Sequence, residues 1–342
     1  MTHHSKYDIL ADPRALLNHR LGGAELTLAQ IETLLACHAD IVARTNQLEP
    51  EALASYRTLF ERAGLGTLMS HFENKGWLQF GLTAASGAQA HLYAALGDFL
   101  DRSKNREQIK NAFFAHNPPG IRLRLQVDPF RVTSLAHPIC EMLQGWRASG
   151  LIEAYRREIY EPETALFGGK DSMDHVHALF SEETDFWLQF HATEDNPAGC
   201  VPTALILLHH IFSGLEIVDW EDLVVWEKMR QMTFGSASAN GHDEGGDPQL
   251  HAQEIVALWS NPDAALAAAS PALTNRIDAA SKKLTKLARR WKTHCFDSGD
   301  TTICVGDAAA RCAAFLFNRA GLPSAQQRLI ADALATRKVA SA

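Results

Sequence analysis

The sequence lacks the features that mark several common protein classes. Its six cysteines are scattered, and no C-x-x-C pair occurs, which argues against both a thiolate zinc site and a disulfide framework. The longest apolar run, Val201 to Ile211, is too short to cross a bilayer and contains His209 and His210. The amino terminus has no apolar signal core. We therefore expect a cytoplasmic protein with no membrane span.

Motifs for several kinds of chemistry are also missing. No G-x-G-x-x-G follows a strand pattern, and neither a phosphate loop nor a G-x-S-x-G elbow occurs. The 16 histidines include no H-E-x-x-H spacing. We therefore expect no metal site and no cofactor. The net charge of -8 and pI near 6.0 argue against nucleic acid as a partner, because no basic stripe dominates a long segment.

The pattern of what is present divides the chain into three parts. Residues 1–75 have apolar positions at helical spacing and predict a helical amino-terminal segment. Residues 76–170 follow the order β-α-β-β-α-β, which is typical of a ferredoxin-like split antiparallel sheet. Residues 171–342 predict a large helical part, including one continuous helix from Ala264 to Trp291. We therefore expect an α+β protein.

One predicted strand carries a pair of arginines. In the run Ile121 to Val127, period-two geometry sends Arg122, Arg124 and Gln126 to one face and the apolar side chains to the other. Two guanidiniums on one strand face suit a carboxylate or phosphate clamp. The alternative, a solvated outer face of a half-buried sheet, stays open.

The stretch from Tyr155 to Gly169 contains the greatest density of polar, aromatic and turn-forming residues. It places Arg157, Tyr160, Glu161 and Glu163 between a strand-like run and a Gly-Gly break. A strand that presents polar groups just before a turn is a common way to build a site on a rigid element. An exposed strand end followed by a surface turn is the other interpretation. The antiparallel order also permits Arg157 to lie near Arg122 and Arg124.

Several short motifs, in this order, resemble the carboxy-terminal domain of lantibiotic dehydratases, and most closely its free-standing thiopeptide-type bacteriocin biosynthesis branch. The motifs are Gly76-Trp77, Gly120 to Leu125, Ile159 to Thr164, Phe167-Gly-Gly, and Phe317 to Pro323 with its Asn318-Arg319 pair. The resemblance extends from about Ser55 to the end. Single motifs are weak, and the ordered set is more specific.

The resemblance implies action on a ribosomally made precursor peptide with a leader, in concert with a separate glutamylating or dehydratase enzyme. One branch eliminates glutamate from glutamylated Ser or Thr; another forms a pyridine from two dehydroalanines by formal [4+2] cycloaddition. By similarity, Arg122 or Arg124, and Arg157, would hold the departing carboxylates and stabilise the enolate charge. Tyr160 and Glu161 complete the predicted catalytic residues. The implied substrate-binding residues are Gln126, Glu163, Asn318 and Arg319. A homodimer is also expected.

The chain departs from the family pattern at one point that bears on mechanism. The eliminating branch has a histidine shortly before the Asn-Arg pair, whereas residues 313–317 here are Ala, Ala, Phe, Leu and Phe. The arginine expected before the Gly-Gly pair is likewise replaced by Leu166-Phe167. Either Tyr160, Glu161, His209 or His210 substitutes for the histidine, or the chain is a catalytically silent peptide-binding subunit.

Overall fold

The computed structural model describes residues 76–117, 119–193, 199–218, 220–235, 252–267 and 269–337. The predicted helical segment 1–75 and residues 236–251 lie outside the described residues. The chain divides into two compact units, and each is interrupted in sequence. Unit 1 includes residues 103–110 and 119–162 together with the strand that begins at Trp77, and unit 2 includes residues 87–102, 111–118 and 163–342.

The regular elements follow one another along the chain as two sets. The strands are β1 (Trp77–Ala84), β2 (Asn111–Asn117), β3 (Gly120–Gln126) and β4 (Ile152–Glu158). The helices are α1 (Gln89–Asn105), α2 (Val132–Ala148), α3 (Lys170–His191), α4 (Cys200–Gly214), α5 (Glu221–Gly235), α6 (Ala252–Ser260), α7 (Pro262–Leu266), α8 (Pro271–Trp291), α9 (Val305–Arg319) and α10 (Ser324–Ala335). A π-helical turn, Lys292–Phe296, continues α8.

The strands form a four-stranded sheet in the order β2-β3-β1-β4. Strand β1 lies at the centre of unit 1 and pairs antiparallel with β3 on one side and with β4 on the other. The predicted mixed α and β composition, with an antiparallel sheet followed by many helices, is thus confirmed. The predicted strand boundaries agree with the observed ones to within a few residues.

The two faces of the unit 1 sheet differ in chemistry. Phe80 and Leu123, which are paired in register, are fully buried on the apolar face. Helix α2 packs against β4 and β1. Arg157 lies on the same face as Phe80, because the two residues are paired in register. The opposite face presents the side chains of Gln79 and its neighbours, and these are polar.

Strand β2 lies at the end of the sheet order, where an exposed edge would leave backbone N–H groups without acceptors. In unit 2 these groups are satisfied by side chains. Ser181 and Thr184 of α3 accept from the N–H groups of Ala112 and Phe114 at 3.0 and 3.3 Å. Asn318 of α9 accepts from the next alternate residue, His116, at 2.8 Å. Side chains of helices therefore cover this strand edge.

Close packing of α4 against α8 depends on a glycine. A methyl group at Gly214 would lie 2.6 Å from the Cβ atom of Ala288 and 2.6 Å from the carbonyl oxygen of Thr285. Both distances are far shorter than van der Waals contact, so a larger residue would force the helices apart. Glycine at this position allows the apolar faces of both helices to be buried against each other.

The helical part differs from the prediction in two details. The predicted continuous helix from Ala264 to Trp291 is two helices, because Ser270 caps a new helix and Pro271 occupies its first turn. Helix α10 was not predicted at all. Among the described residues, no helix is long and apolar enough to cross a membrane.

Candidate functional site

The polar face of the unit 1 sheet holds the two arginines that the sequence singled out. In register, Arg124 lies opposite Gln79 of β1, and Arg122 lies opposite Gly81. On the other side of β1, Glu158 and Arg156 occupy the matching positions. Alternation along the strands therefore places all of these residues on one face. We call Gln79, Arg122, Arg124, Arg156 and Glu158 the arginine face.

Glu158 links the arginines across β1. Its carboxylate accepts a hydrogen bond from Arg156 Nε at 2.8 Å, and Arg122 Nε lies 3.5 Å from its other oxygen. The carboxylate can lean over β1 because Gly81 has no side chain there. A Cβ atom at Gly81 would lie 2.7 Å from Glu158 Oε1. Glycine at this position therefore makes room for the bridge between the two outer strands.

Arg124 is the most enclosed cation of the arginine face, with 7% of its surface exposed. Its Nε donates to Gln79 Oε1 at 2.8 Å, and Gln79 Nε2 donates to Glu158 Oε2 at 2.8 Å. The guanidinium also lies 4.4 Å from the centre of the Tyr160 ring, and Trp77 contacts that ring edge-on. The planar guanidinium is thus fixed in direction by an amide and an aromatic face.

The structure does not bring Arg157 to the arginine face. It lies opposite Phe80, one residue from Arg156 and Glu158, and alternation sends it to the apolar side of the sheet. Its charge acts on Cys140 of α2: burial raises the pKa of the Cys140 thiol, and the charge of Arg157 opposes that rise. Arg156, and not the predicted Arg157, therefore shares a face with Arg122 and Arg124.

The other predicted residues lie at separate places. Gln126 stands at the end of β3 opposite Trp77 and is half-buried. Glu161 is half-buried and belongs to unit 1. Glu163 belongs to unit 2, where its carbonyl accepts from the N–H of Leu166 at the start of a 3-10 turn. These three residues are not members of the arginine face, and their roles in a site stay predictions.

Unit 2 contains a second polar cluster, around the predicted residue Asn318. The side-chain amide of Asn318 pairs with both backbone groups of His116: Oδ1 accepts from the N–H at 2.8 Å, and Nδ2 donates to the carbonyl at 3.0 Å. Two histidines, His116 and His191, lie next to this residue with ring centres 5.7 Å apart. We call Tyr93, His116, His191 and Asn318 the imidazole cluster.

The hydrogen bonds assign a tautomer to each histidine. His116 Nδ1 lies 2.5 Å from the carbonyl oxygen of Asn318, and a carbonyl only accepts, so Nδ1 carries the proton. The neutral ring then accepts at Nε2 from the hydroxyl of Tyr93, 2.6 Å away. Gln89 in turn donates to the Tyr93 oxygen at 2.9 Å. His191 Nε2 donates to the carbonyl of Arg319 at 2.8 Å.

Burial sets the protonation of this cluster. It raises the pKa of Tyr93 to about 12. It lowers the pKa of His191 to about 4 and lowers that of His116 as well, while the helix-end carbonyls oppose both changes. At neutral pH the imidazoles are therefore uncharged and the phenol is protonated. Such a cluster can pass a proton between Tyr93 and His116 without placing a net charge in the interior.

A buried ion pair fixes the end of α9 beneath the cluster. Arg319 and Glu183 are both fully enclosed, and the Arg319 guanidinium donates from Nε at 2.8 Å and also from Nη2 to one carboxylate oxygen. The guanidinium lies 4.1 Å from the centre of the Phe180 ring. Burial raises the pKa of Glu183, and the guanidinium opposes the rise. With no exposed surface, Arg319 occupies a structural position instead of the predicted substrate-contacting one.

Neither histidine of the imidazole cluster is among the site residues predicted from the sequence. Neither is close in sequence to Asn318: the contact with His116 spans 202 residues, and the contact between His191 and Arg319 spans 128. His209, one predicted substitute for the missing histidine, lies instead against Trp259 of α6. His116 is the second-last residue of β2, and the strand pattern carries no signal of its contact with Asn318.

Comparison with known proteins places the chain in a family. Residues 77–339 match the family described as lantibiotic biosynthesis dehydratase, C-terminal part. The chain belongs to this family. The resemblance predicted from the ordered motifs is confirmed, and the match covers the described elements of both units. No curated protein matches the chain.

Two solved structures are similar to this member of the family. The tRNA dependent lantibiotic dehydratase MibB from Microbispora sp. 107891 is 15% identical over 76% of this chain and 27% of its own, with a TM-score of 0.58. TsrL is 14% identical over 76% of this chain and 93% of its own, with a TM-score of 0.43. The chain thus spans about a quarter of the length of MibB. At this identity the similarity to MibB shows a shared fold.

Proposed function

We propose that the protein is a maturation enzyme for a ribosomally synthesised, post-translationally modified peptide and that it eliminates glutamate from glutamylated Ser or Thr. The family to which the chain belongs carries the proposal. In the reaction a base removes the α-proton, its electrons form the Cα–Cβ double bond, and the Cβ–O bond breaks as glutamate leaves. The products are a dehydroamino acid and free glutamate.

The arginine face supports the binding part of this proposal. The leaving glutamate carries carboxylates, and the α-proton is removed more easily when a cation lies near the developing enolate. Arg124 presents a guanidinium whose direction is fixed by Gln79 and Tyr160, and Arg122 lies beside it on β3. Oriented guanidiniums suit planar carboxylates better than lysines do. We assign carboxylate binding to Arg122 and Arg124.

The imidazole cluster supports the proton-transfer part. The family's expected histidine is missing from the residues before Asn318, yet His116 from β2 contacts Asn318 itself. His116 accepts from Tyr93 and is neutral, so it has the chemical form of a general base. We assign proton transfer to His116 and Tyr93. Each assignment rests on the residues of one unit only, stands without the other and is tested with its own variant.

The reaction is tested by incubating the protein with a glutamylated peptide and measuring the peptide mass. A loss equal to glutamate supports elimination. The variant Arg124→Lys retains the charge but loses the planar fork, and we expect a fall in kcat/KM of about 10- to 100-fold. Arg147→Lys is the matched control, because Arg147 is exposed on α2 of the same unit and should leave kcat/KM unchanged.

The proton-transfer assignment is tested with Tyr93→Phe, which removes one hydroxyl and retains the ring. We expect kcat to fall by about 10- to 100-fold with little change in KM, since general acid-base groups contribute in that range or above. Normal kcat in Tyr93→Phe would leave Tyr93 and His116 with a structural role only. Loss of activity through misfolding is distinguished by a thermal melt of the same variant.

A catalytically silent peptide-binding subunit is the second candidate, and one observation favours it. The groups of the imidazole cluster are already satisfied by one another and by the α9 carbonyls, and Glu158 already holds two arginines. Leader-peptide binding without any change in peptide mass would support that function. Leader release from a dehydrated peptide would instead support the [4+2] pyridine synthase reaction.

The proposal also covers the partners of the protein, its location in the cell and the topology of its sheet. We propose a leader-bearing precursor peptide as substrate, a separate glutamylating or dehydratase enzyme as its supplier, action in the cytoplasm, and a homodimer. The ferredoxin-like split topology belongs to the same proposal, and the strand order β2-β3-β1-β4 supports it. An analytical ultracentrifugation run that gives only monomer at micromolar concentration would remove the dimer.

A further inference from the structure

Helix α8 carries cations along one exposed side. Lys282, Lys286, Arg289 and Arg290 are all exposed and follow the spacing i, i+4, i+7 and i+8, which defines one helix face. We call these four residues the basic strip. Together with Thr285, Thr293 and His294 they line a groove of about 340 Å³, and no carboxylate is among its lining residues. The groove lies entirely in unit 2.

The basic strip differs from the cations around it in how its charge is balanced. Lys283, on the same helix, pairs with Glu182 at 2.9 Å. Lys292, one residue beyond the helix, pairs with Glu216 at 2.9 Å and Asp297 at 2.7 Å. Within the described part of the chain, no residue of the basic strip has an ion-pair partner. The chain therefore neutralises the flanking cations and leaves the groove positive.

Helix energetics alone would not retain this arrangement. Like charges at i and i+4 destabilise a helix, and Lys282–Lys286 and Lys286–Arg290 are two such pairs. Arg289 and Arg290 lie in the last turn, where the helix dipole favours cations, but Lys282 and Lys286 do not benefit from that effect. The basic strip therefore concentrates positive charge on a protein whose net charge is -8.

The end of the groove has an irregular backbone. The α-helix continues as a π-helical turn at Lys292–Phe296, which widens the helix where Thr293 and His294 line the groove. Turns of this kind are rare and often accompany functional sites. The His294 ring also contacts His175 of α3, with ring centres 5.2 Å apart, so a second helix supports this end. All residues that line the groove belong to α8 and its π-helical continuation, and the contact with His175 holds one end of this face against α3.

We propose that the basic strip binds an acidic peptide segment. Charge complementarity is the main reason, because the groove is positive and its volume accommodates a few side chains. The strip is about 12 Å long at 1.5 Å per residue, which corresponds to a short extended peptide of about four residues. The overall charge of -8 would repel a long polyanion approaching the rest of the surface. The proposal requires no turnover and is independent of the reaction proposed above.

The test measures fluorescence anisotropy of a labelled peptide with a run of glutamates, added to the full-length protein. We expect saturable binding that disappears between about 0.05 and 0.5 M salt, where screening shortens the range of exposed charges. The same peptide with glutamines should not bind. The double variant Lys286→Gln, Arg290→Gln should weaken binding by about tenfold, as expected for two exposed ion pairs.

The matched control is Lys283→Gln, which is compared with the single variant Lys286→Gln because each removes one charge from the same helix and Lys283 lies outside the groove. It should retain the binding of the unchanged protein. If both variants weakened peptide binding equally, binding would depend on the net charge of the protein and not on the basic strip, and the proposal would be wrong. Failure of the glutamate peptide to bind at low salt overturns the proposal, as does tighter binding of a short single-stranded RNA that competes the peptide away. Thermal melts of the variants exclude misfolding as a cause.

Discussion

The arginine face of unit 1 and the imidazole cluster of unit 2 are assembled in different ways. Neighbouring strands build the arginine face, and its members follow from alternation and register alone. The imidazole cluster brings together α1, β2, α3 and the end of α9. The first is a set of permanent cations bridged by one carboxylate, whereas the second is neutral at pH 7.

This difference predicts different responses to mutation and to pH. Arginines do not titrate in the usual pH range, so the arginine face responds mainly to changes in shape and charge. The imidazole cluster depends on keeping histidines uncharged inside the fold, and on a fully buried ion pair beneath it. We therefore expect unit 2 to contain the more fragile of the two clusters.

The largest effect is expected from Glu183→Ala. The change leaves Arg319 as a buried cation without a carboxylate, which typically costs about 3 to 5 kcal/mol of unfolding free energy. The comparable change in unit 1, Glu158→Ala, should cost less, about 1 to 2 kcal/mol, because water reaches its partners Arg122 and Arg156. Urea denaturation followed by circular dichroism measures both.

Glu182→Ala is the control for this comparison. Glu182 adjoins Glu183 in α3 but pairs with the exposed Lys283, so its loss should cost about 1 kcal/mol or less. If Glu183→Ala were as mild as Glu182→Ala, the buried pair would not support the end of α9. If Glu158→Ala lowered the free energy of unfolding more than Glu183→Ala, the arginine face would be the more fragile of the two clusters.

An effect of intermediate size is expected from acid. The pKa of His191 in the folded protein is about 4, below its ordinary value of 6.5, so the unfolded chain binds a proton first. Stability from the neutral ring is present above pH 6.5 and is lost as the pH falls toward 4, by up to about 3 kcal/mol. The lowered pKa of His116 acts in the same direction.

The measurement is urea denaturation at several pH values between 7 and 4. His191→Gln retains a hydrogen-bond donor for the Arg319 carbonyl and removes the titrating group, so its stability should vary less over this window. His137→Gln is the control, because His137 is exposed on α2 of unit 1 and should leave the pH dependence as it was. An unchanged slope in His191→Gln would contradict the assigned role of burial.

The smallest effect on stability is expected from Gly81→Ala. The new methyl group would displace the Glu158 carboxylate, which is the flexible end of a side chain, so the cost should be about 1 kcal/mol or less. Loss of the bridge between Arg122 and Arg156 should nevertheless change the peptide-elimination rate. Gly145→Ala on α2 meets no atom within 4 Å and serves as the control. Equal elimination rates in both variants would show that the Glu158 bridge does not matter.

The strand pattern alone predicted part of the candidate site. Period two placed Arg122 and Arg124 on one face, and the structure keeps them there. To apply period two to β4, one must also know which residue of β4 lies opposite Gln79, because that pairing decides which face each arginine occupies. A register different by one residue exchanges Arg156 with Arg157, and sequence does not show register between distant strands. The convergence of Arg157 was therefore wrong although its strand was right.

The sequence by itself determined the family, the order of the four strands with α1 and α2 between them, and the cation-bearing face of β3. These properties depend on local periodicity and on ordered short motifs, which are written in neighbouring residues. Only the tertiary structure decided that Glu158 bridges the arginines over Gly81, and that His116 and His191 meet the end of α9. Such contacts join residues far apart in sequence through helix packing and strand register, and no local pattern encodes them.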